Sequence, residues 1–316
     1  MNALAVVLEA PERLALSRVG LTPPGDDDVV VDIAWSGIST GTEKLLWTGR
    51  MPAFPGMGYP LVPGYESVGR VSEAGARSGH VAGELVFVPG ARCYGEIRGL
   101  FGGAASRVVV PGSRVFAIDA ALGERAVLLA LAGTAYHAIA AGQSLRTAPC
   151  PELIVGHGVL GRLIARLAVL AGGAPVVWER DPLRAGGAID YRVMRPEDDT
   201  RRDYRVIVDV SGDAGILDEL VGRLAPGGEI VLAGFYSQRL SFAFPPAFMR
   251  EARLRAAAEW KREDMLAVRA LVESGELSLD GLITHREAAT DAERAYRTAF
   301  GDTACLKMIL DWSACA

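Results

Sequence analysis

The stretch LIVGHGVLGRLIARLAVL, residues 153–170, constrains this chain more than any other. Three apolar β-formers run into Gly156, Gly158 and Gly161, spaced as G-x-G-x-x-G, and the apolar residues beyond recur with a helical period. Strand, glycine turn and helix in that order open a βαβ unit built to hold a dinucleotide. The first glycine permits the tight turn, the second lets a pyrophosphate approach the backbone, and the third lets helix and strand pack closely. Val159 and Leu160 complete this cofactor-binding turn at the helix N-terminus. The next apolar strand, PVVWER, ends in Glu179, 18 residues beyond Gly161, where a carboxylate accepts both adenosine ribose hydroxyls. A 2′-phosphate would be repelled there, so NAD is expected over NADP. Arg180 is counted with the site because a neighbouring guanidinium can rescue a phosphate. The competing readings are a glycine-rich turn that binds nothing and a methyltransferase. His157 reads as a loop residue and not as a catalyst.

The remaining texture divides the chain. With 316 residues, half of them hydrophobic and 22% charged, it can bury two separate cores. Up to about residue 118, short β-rich runs such as DDVVVDIAWSGI and GELVFVPG are broken by Gly and Pro. From Leu122, helical segments alternate with buried, nearly unbroken strands, which implies a parallel sheet with crossover helices. The net charge of -5 is the wrong sign for neutralising a phosphate backbone, so no nucleic acid is expected as a partner. Arg162 and Arg166 interrupt the best apolar run before the ~20 residues a bilayer span needs, so no membrane insertion is expected. The leading MNALAVVLEAPERL reads as a first strand and not a signal peptide, and the expected location is the cytoplasm. Cys93, Cys150, Cys305 and Cys315 match neither a zinc pair nor a disulfide framework, and read as buried thiols.

The order of a β-rich domain, a dinucleotide domain and a return to the first, with Thr134 in GTAYHAI ahead of the glycine turn, resembles the medium-chain dehydrogenase/reductase superfamily. More closely, SGISTGTEKLLWTGRMPAFPGMGYPLVPGYESVGRV, LIVGHGVLGRL, EIVLAGFY and CLKMILDW resemble its bacteriochlorophyll-pathway family of 3-hydroxyethyl bacteriochlorophyllide a dehydrogenases. The resemblance implies an α/β protein: a GroES-like β-rich catalytic domain at 1–121 and 263–316, and a Rossmann domain with a doubly wound parallel sheet at 122–262. It also implies NAD-dependent oxidation of a macrocycle's 1-hydroxyethyl group to acetyl, and a homodimer. Thr134 is expected to face the nicotinamide, with Ser211 in DVSG and Gly234 in LAGF at the cofactor edge of the sheet. Asp209 is expected to order its turn.

Zinc relatives carry a ligand Cys where SGIS places Ser39, a His where PGYE places Tyr65, and a third ligand near Ala130. Ser and Tyr are poor zinc ligands and Ala offers no ligand atom, so no metal is expected. Zinc otherwise stabilises the developing alkoxide, and that work falls to polar groups at the vacated positions. The candidates are Ser39 and Thr40 as donors, Tyr65 as donor or proton acceptor, Glu66 as an orienting carboxylate and His137 as terminal base. The alternatives are that Tyr65 only plugs the former zinc cavity and that His137 is a satisfied helix residue. Trp47, Met57 and Tyr59, with Phe54 and Met51, would suit a flat apolar ligand, and Lys44, Arg50 or Arg98 a propionate. Otherwise some of these apolar residues close the core beneath the loop. Two rival functions stand beside the leading one: a zinc-free NADPH-dependent quinone or enone reductase, and a dinucleotide-binding protein without catalysis.

Overall fold

The computed structural model describes residues 1–53 and 55–315. They fall into two compact units, Met1–Ala130 with Leu282–Ala316, and Leu131–Gly281. In the first unit β1 (Asn2–Ala10) and β2 (Arg13–Gly20) form an antiparallel hairpin. The long β3 (Asp28–Ile38) leads through a loop into the short helix α1 (Thr42–Trp47), followed by β4 (Leu61–Val62) and β5 (Ser67–Ala74). Four further strands follow: β6 (Leu85–Val88), β7 (Arg98–Gly99), β8 (Arg107–Pro111) and β9 (Phe116–Ala117). Val29, Val30 and Val31 are fully buried because β3 is flanked by both β5 and β8 and covered on its faces.

Helix α2 (Leu129–Ala140) carries the chain into the second unit. There β10 (Leu153–Val155), α3 (Val159–Leu170), β11 (Val176–Trp178), β12 (Arg192–Met194) and β13 (Tyr204–Asp209) follow one another. They are joined by α4 (Leu217–Arg223), β14 (Leu224–Leu232), α5 (Phe244–Met249), β15 (Arg253–Ala256) and α6 (Arg262–Glu273). The sheet is parallel, in the order β12–β11–β10–β13–β14–β15. Strand order reverses beside β10, the switch point at whose carboxyl edge such sheets bind ligands. The alternating pattern implied this parallel sheet, and the resemblance its doubly wound order.

The chain then returns to the first unit with β16 (His285–Ala288), α7 (Ala292–Gly301) and β17 (Met308–Asp311). Strand β17 pairs antiparallel with β3, Met308 opposite Ile38, so the end of the chain completes the sheet that its beginning started. Both boundaries differ from the expected 121/122 and 262/263. Residues 122–130 stay with the first unit because the segment Ala120–Leu128 packs on β3, β5 and β6. Residues 263–281 stay with the second: Asp264 on α6 holds His137 on α2, and Arg166 on α3 donates to the carbonyls of Ser278 and Asp280. Among the described residues no helix is long and apolar enough to cross a membrane.

Candidate active site

The glycine turn sits at the end of β10 as its spacing predicts. Gly156 has φ +106°, a conformation that favours glycine, and a Cβ on Gly161 would lie 1.9 Å from the Gly156 carbonyl oxygen. At Gly158 a Cβ would meet nothing, so protein packing does not require glycine there and the space above the turn stays open. The first hydrogen bond of α3 runs from Arg162 N–H to Gly158 O at 2.9 Å. The N–H groups of Val159, Leu160 and Gly161 precede that ladder and lie at the positive end of the helix, the arrangement that receives a phosphate.

Glu179 follows β11 with both carboxylate oxygens engaged: the N–H of His157 donates to Oε2 at 3.1 Å and that of Asp181 to Oε1 at 2.8 Å. Arg180 is exposed and pairs loosely with Asp213 at 3.8 Å. Ser211 follows β13, and Gly234 follows β14 with its N–H donating to the Asp209 carbonyl at 3.0 Å. Asp209 is fully buried and accepts from Ser211 N–H at 2.9 Å and Tyr236 Oη at 2.7 Å. Burial pushes its carboxyl above the usual carboxylate range. It orders the turn that carries Ser211. Thr134 and His137 lie on α2, where His137 Nδ1 meets Asp264 Oδ2 at 2.8 Å. With Nδ1–H donating to that carboxylate, Nε2 is the nitrogen left with a lone pair.

In the first unit the loop after β3 brings Ser39 to the segment ahead of β5, and Ser39 Oγ meets Tyr65 Oη at 2.6 Å. Thr42 hydrogen bonds the same phenol, and Phe101 packs edge-on against its ring at 5.2 Å between centroids. Burial, reinforced by the Glu66 charge, pushes the Tyr65 hydroxyl well above the ordinary phenol range. The raised proton affinity favours the neutral phenol, which can donate one hydrogen bond and accept others. Thr40 is half-buried beside this pair, and Ala130 is buried.

Glu66 is placed differently from its expected role. It is fully buried and its Oε2 accepts from Lys307 Nζ at 2.5 Å, while Lys307 also donates to the Ile38 carbonyl at 3.2 Å. Because β17 pairs with β3, Lys307 arrives directly under Ile38, and Glu66 answers that buried cation instead of orienting a hydroxyl. Burial raises the Glu66 carboxyl's proton affinity and Lys307 opposes the rise.

Sequence reasoning missed the carboxylate that does support Ser39. Glu43, fully buried on α1, accepts from Ser39 N–H at 3.1 Å and from Tyr296 Oη at 2.7 Å. Burial pushes its pKa up to about 7. A lone acid just inside an apolar helix start was the available signal. Among the described residues no group of three or more His, Cys, Asp or Glu could hold a metal ion.

The aromatic segment is only partly as expected. Trp47 is 5% exposed, packed against Tyr296 and Phe300 at 6.1 and 6.4 Å between ring centroids, and so belongs to the core and not to a ligand face. Tyr59 is half-buried and donates its hydroxyl to the Leu46 carbonyl, and Met51 and Met57 pack partly against the same core. Lys44 donates to the Phe300 carbonyl at 2.9 Å, and Arg50 is exposed. Phe54 lies outside the described residues.

A β-rich unit with a polar hydroxyl pair, joined to a doubly wound unit with a phosphate turn and a terminal acid, defines a medium-chain dehydrogenase/reductase. In keeping with this, residues 25–120 match the alcohol dehydrogenase GroES-like domain. The chain is 58% identical over 314 residues to 2-desacetyl-2-hydroxyethyl bacteriochlorophyllide A dehydrogenase of Rhodobacter capsulatus, covering 99% of each chain. It is 56% identical to the protein so named in Cereibacter sphaeroides, over 100% of each. Its fold matches that of a short chain alcohol dehydrogenase from Escherichia coli, complexed with NADH, with TM-score 0.82 and 21% identity, covering 98% of this chain and 99% of the other. The chain belongs to the family of the 2-desacetyl-2-hydroxyethyl bacteriochlorophyllide A dehydrogenases.

Proposed function

We propose that this chain oxidises the 1-hydroxyethyl side chain of a bacteriochlorophyllide to an acetyl group, with NAD as hydride acceptor and without catalytic zinc. The observation that carries the zinc-free part is the 2.6 Å hydrogen bond between Ser39 Oγ and Tyr65 Oη at two of the positions where zinc relatives hold their metal. A hydroxyl and a phenol that keeps its proton, with Ala130 at the third position, do not fit a tetrahedral Cys/His site. The substrate class follows from the two relatives above 55% identity.

A nicotinamide cofactor bound at the glycine turn would supply the acceptor for the hydride of the carbinol carbon. The chain's own work is at the substrate oxygen. Whichever of Ser39 and Tyr65 donates to the other, one O–H remains free to donate to the developing alkoxide. The proton lost from the substrate hydroxyl leaves by a relay through Tyr65 or Ser39 whose terminal base in this reading is His137, its ring held from the Nδ1 side by Asp264. A carbinol beside a conjugated ring resembles a benzylic alcohol, so charge developing at carbon spreads into the macrocycle and less Lewis acidity is needed.

The Gly158 opening and the N-terminus of α3 would hold the pyrophosphate, and Glu179 the adenosine ribose. NAD is favoured over NADP because the Glu179 carboxylate repels a 2′-phosphate while Arg180 is drawn toward Asp213. A homodimer belongs to the same proposal. The edge strand β15 and the exposed Phe244, Phe248 and Met249 of α5 supply an apolar face for it.

The test is to incubate purified protein with hydroxyethyl bacteriochlorophyllide and either dinucleotide. The nicotinamide absorbance and the red shift of a newly conjugated acetyl group are followed together. Both signals with NAD support the proposal. Reduction of an enone with NADPH and no alcohol oxidation would identify a quinone or enone reductase instead, and dinucleotide binding with no turnover a non-catalytic protein.

A further inference from the structure

The connection from β11 to β12 is unusual for a parallel unit. Such crossovers are normally made by a helix that packs on the sheet. Residues 179–191 instead contain one short 3-10 turn, Pro182–Arg184, with Asp181 accepting from Leu183 N–H at 2.9 Å. A loop without a helix leaves carbonyls that need donors, and those donors come from the glycine turn and α3. His157 Nδ1 meets the Arg184 carbonyl at 2.6 Å, and Arg162 Nη2 donates to the same oxygen at 2.9 Å. Because a carbonyl can only accept, Nδ1 carries the proton and Nε2 is the acceptor for Tyr191 Oη at 2.9 Å.

His157 is fully buried, and burial lowers its pKa to about 4, so the neutral ring this pattern requires is the form present near pH 7. Its backbone joins in as well: the N–H donates to Glu179 Oε2 at 3.1 Å, and the carbonyl accepts from Arg162 Nε at 3.0 Å. One residue inside the phosphate turn thus touches both ends of the loop that begins with the ribose acid.

We infer that His157 is a positioning residue which, with Tyr191, clasps the loop 179–191 to the phosphate turn and so sets where the Glu179 carboxylate stands for the adenosine ribose. The inference rests on the dinucleotide reading above, and it assigns to a side chain the work that the missing crossover helix would do. Loss of the ring removes one of the two donors on Arg184 O and the acceptor of the Tyr191 hydroxyl, and the loop keeps Arg162 as its remaining side-chain tie to α3.

The test is a double-mutant cycle on the affinity for ADP-ribose, measured by calorimetry with full-length protein. His157→Phe keeps an aromatic volume and removes both ring hydrogen bonds, and Glu179→Ala removes the acid. Each is expected to weaken binding about tenfold, roughly the worth of one net hydrogen bond. The double variant is expected to lose no more than the larger single loss, because His157 acts through Glu179. Additive losses, or unchanged affinity in His157→Phe, would overturn the inference, since a residue that only stabilises the fold moves the melting temperature and leaves the coupling at zero. Tyr191→Phe keeps the buried ring system and provides the same cycle if His157→Phe fails to fold. Wild-type protein that binds no ADP-ribose would instead overturn the dinucleotide reading itself.

Discussion

Glu43 makes a quantitative prediction about stability and pH. Its carboxyl is fully buried and faces Ser39 N–H, Tyr296 Oη, the Glu66 carboxylate and the Lys307 ammonium. Lys307 is already paired with Glu66, so Glu43 has no cation of its own and burial raises its pKa from 4.5 to about 7. An acid whose folded-state pKa is raised holds its proton in the native protein at pH values where the unfolded chain has released it. The native state then binds more protons than the unfolded state between pH 4.5 and about 7, and its stability falls as pH rises through that window. At about 1.4 kcal/mol per pH unit the fall attributable to Glu43 approaches ~3 kcal/mol and levels off above pH 7. Glu43→Gln removes the titration while its amide can still meet Ser39 N–H and the Tyr296 hydroxyl. Urea unfolding of both proteins at closely spaced pH values from 4.5 to 8 isolates the titration of Glu43 and its coupling to Glu66, since distant titrating groups such as Asp209 cancel in the difference. The variant should gain on the wild type by about 3 kcal/mol across the window. A difference that stays constant with pH would refute the assignment of a protonated, uncompensated acid beneath Ser39.

Five further outcomes follow from the same geometry. Tyr65→Phe should lower turnover about 10²-fold or more with little change in dinucleotide affinity, as expected for a lost alkoxide donor; steady-state kinetics and dinucleotide titration separate the two. Lys307→Met strands Glu66 as an unpaired buried acid and should cost about 3–5 kcal/mol in chemical unfolding. Gly161→Ala drives a methyl against the Gly156 carbonyl and should destabilise by about 1–3 kcal/mol. Gly158→Ala meets no protein atom and should leave stability within about 0.5 kcal/mol while weakening dinucleotide binding. Phe248→Glu should convert a dimer to a monomer in light scattering, and an unchanged mass would remove α5 from the proposed interface.

The parts of this fold that were legible in the sequence are those whose causes are local. The glycine turn, the helix after it and the acid ending the next strand are set by backbone sterics within a few residues, so their spacing was enough. Ser39 and Tyr65 lie 26 residues apart, and only the likeness to zinc relatives put them in one place before the structure did. The charges beneath them were invisible for a physical reason: Tyr296 reaches Glu43 across 253 residues and Lys307 reaches Glu66 across 241, through strands that pair late in the chain. Trp47 looked like a ligand platform because it stands in an aromatic run, but a short helix turns Leu46 and Trp47 inward together. His157 was passed over because its partners lie on a loop that takes the place of the usual crossover helix, and composition does not report that absence.

The central claim is that alcohol oxidation here proceeds without a metal, and turnover measured against metal content tests it most directly. Protein dialysed against a strong zinc chelator is assayed with hydroxyethyl bacteriochlorophyllide and NAD, and the same sample is analysed for zinc. The account predicts undiminished turnover at zinc far below one ion per chain. Near-stoichiometric zinc whose removal abolishes turnover, and whose return restores it, would contradict the account.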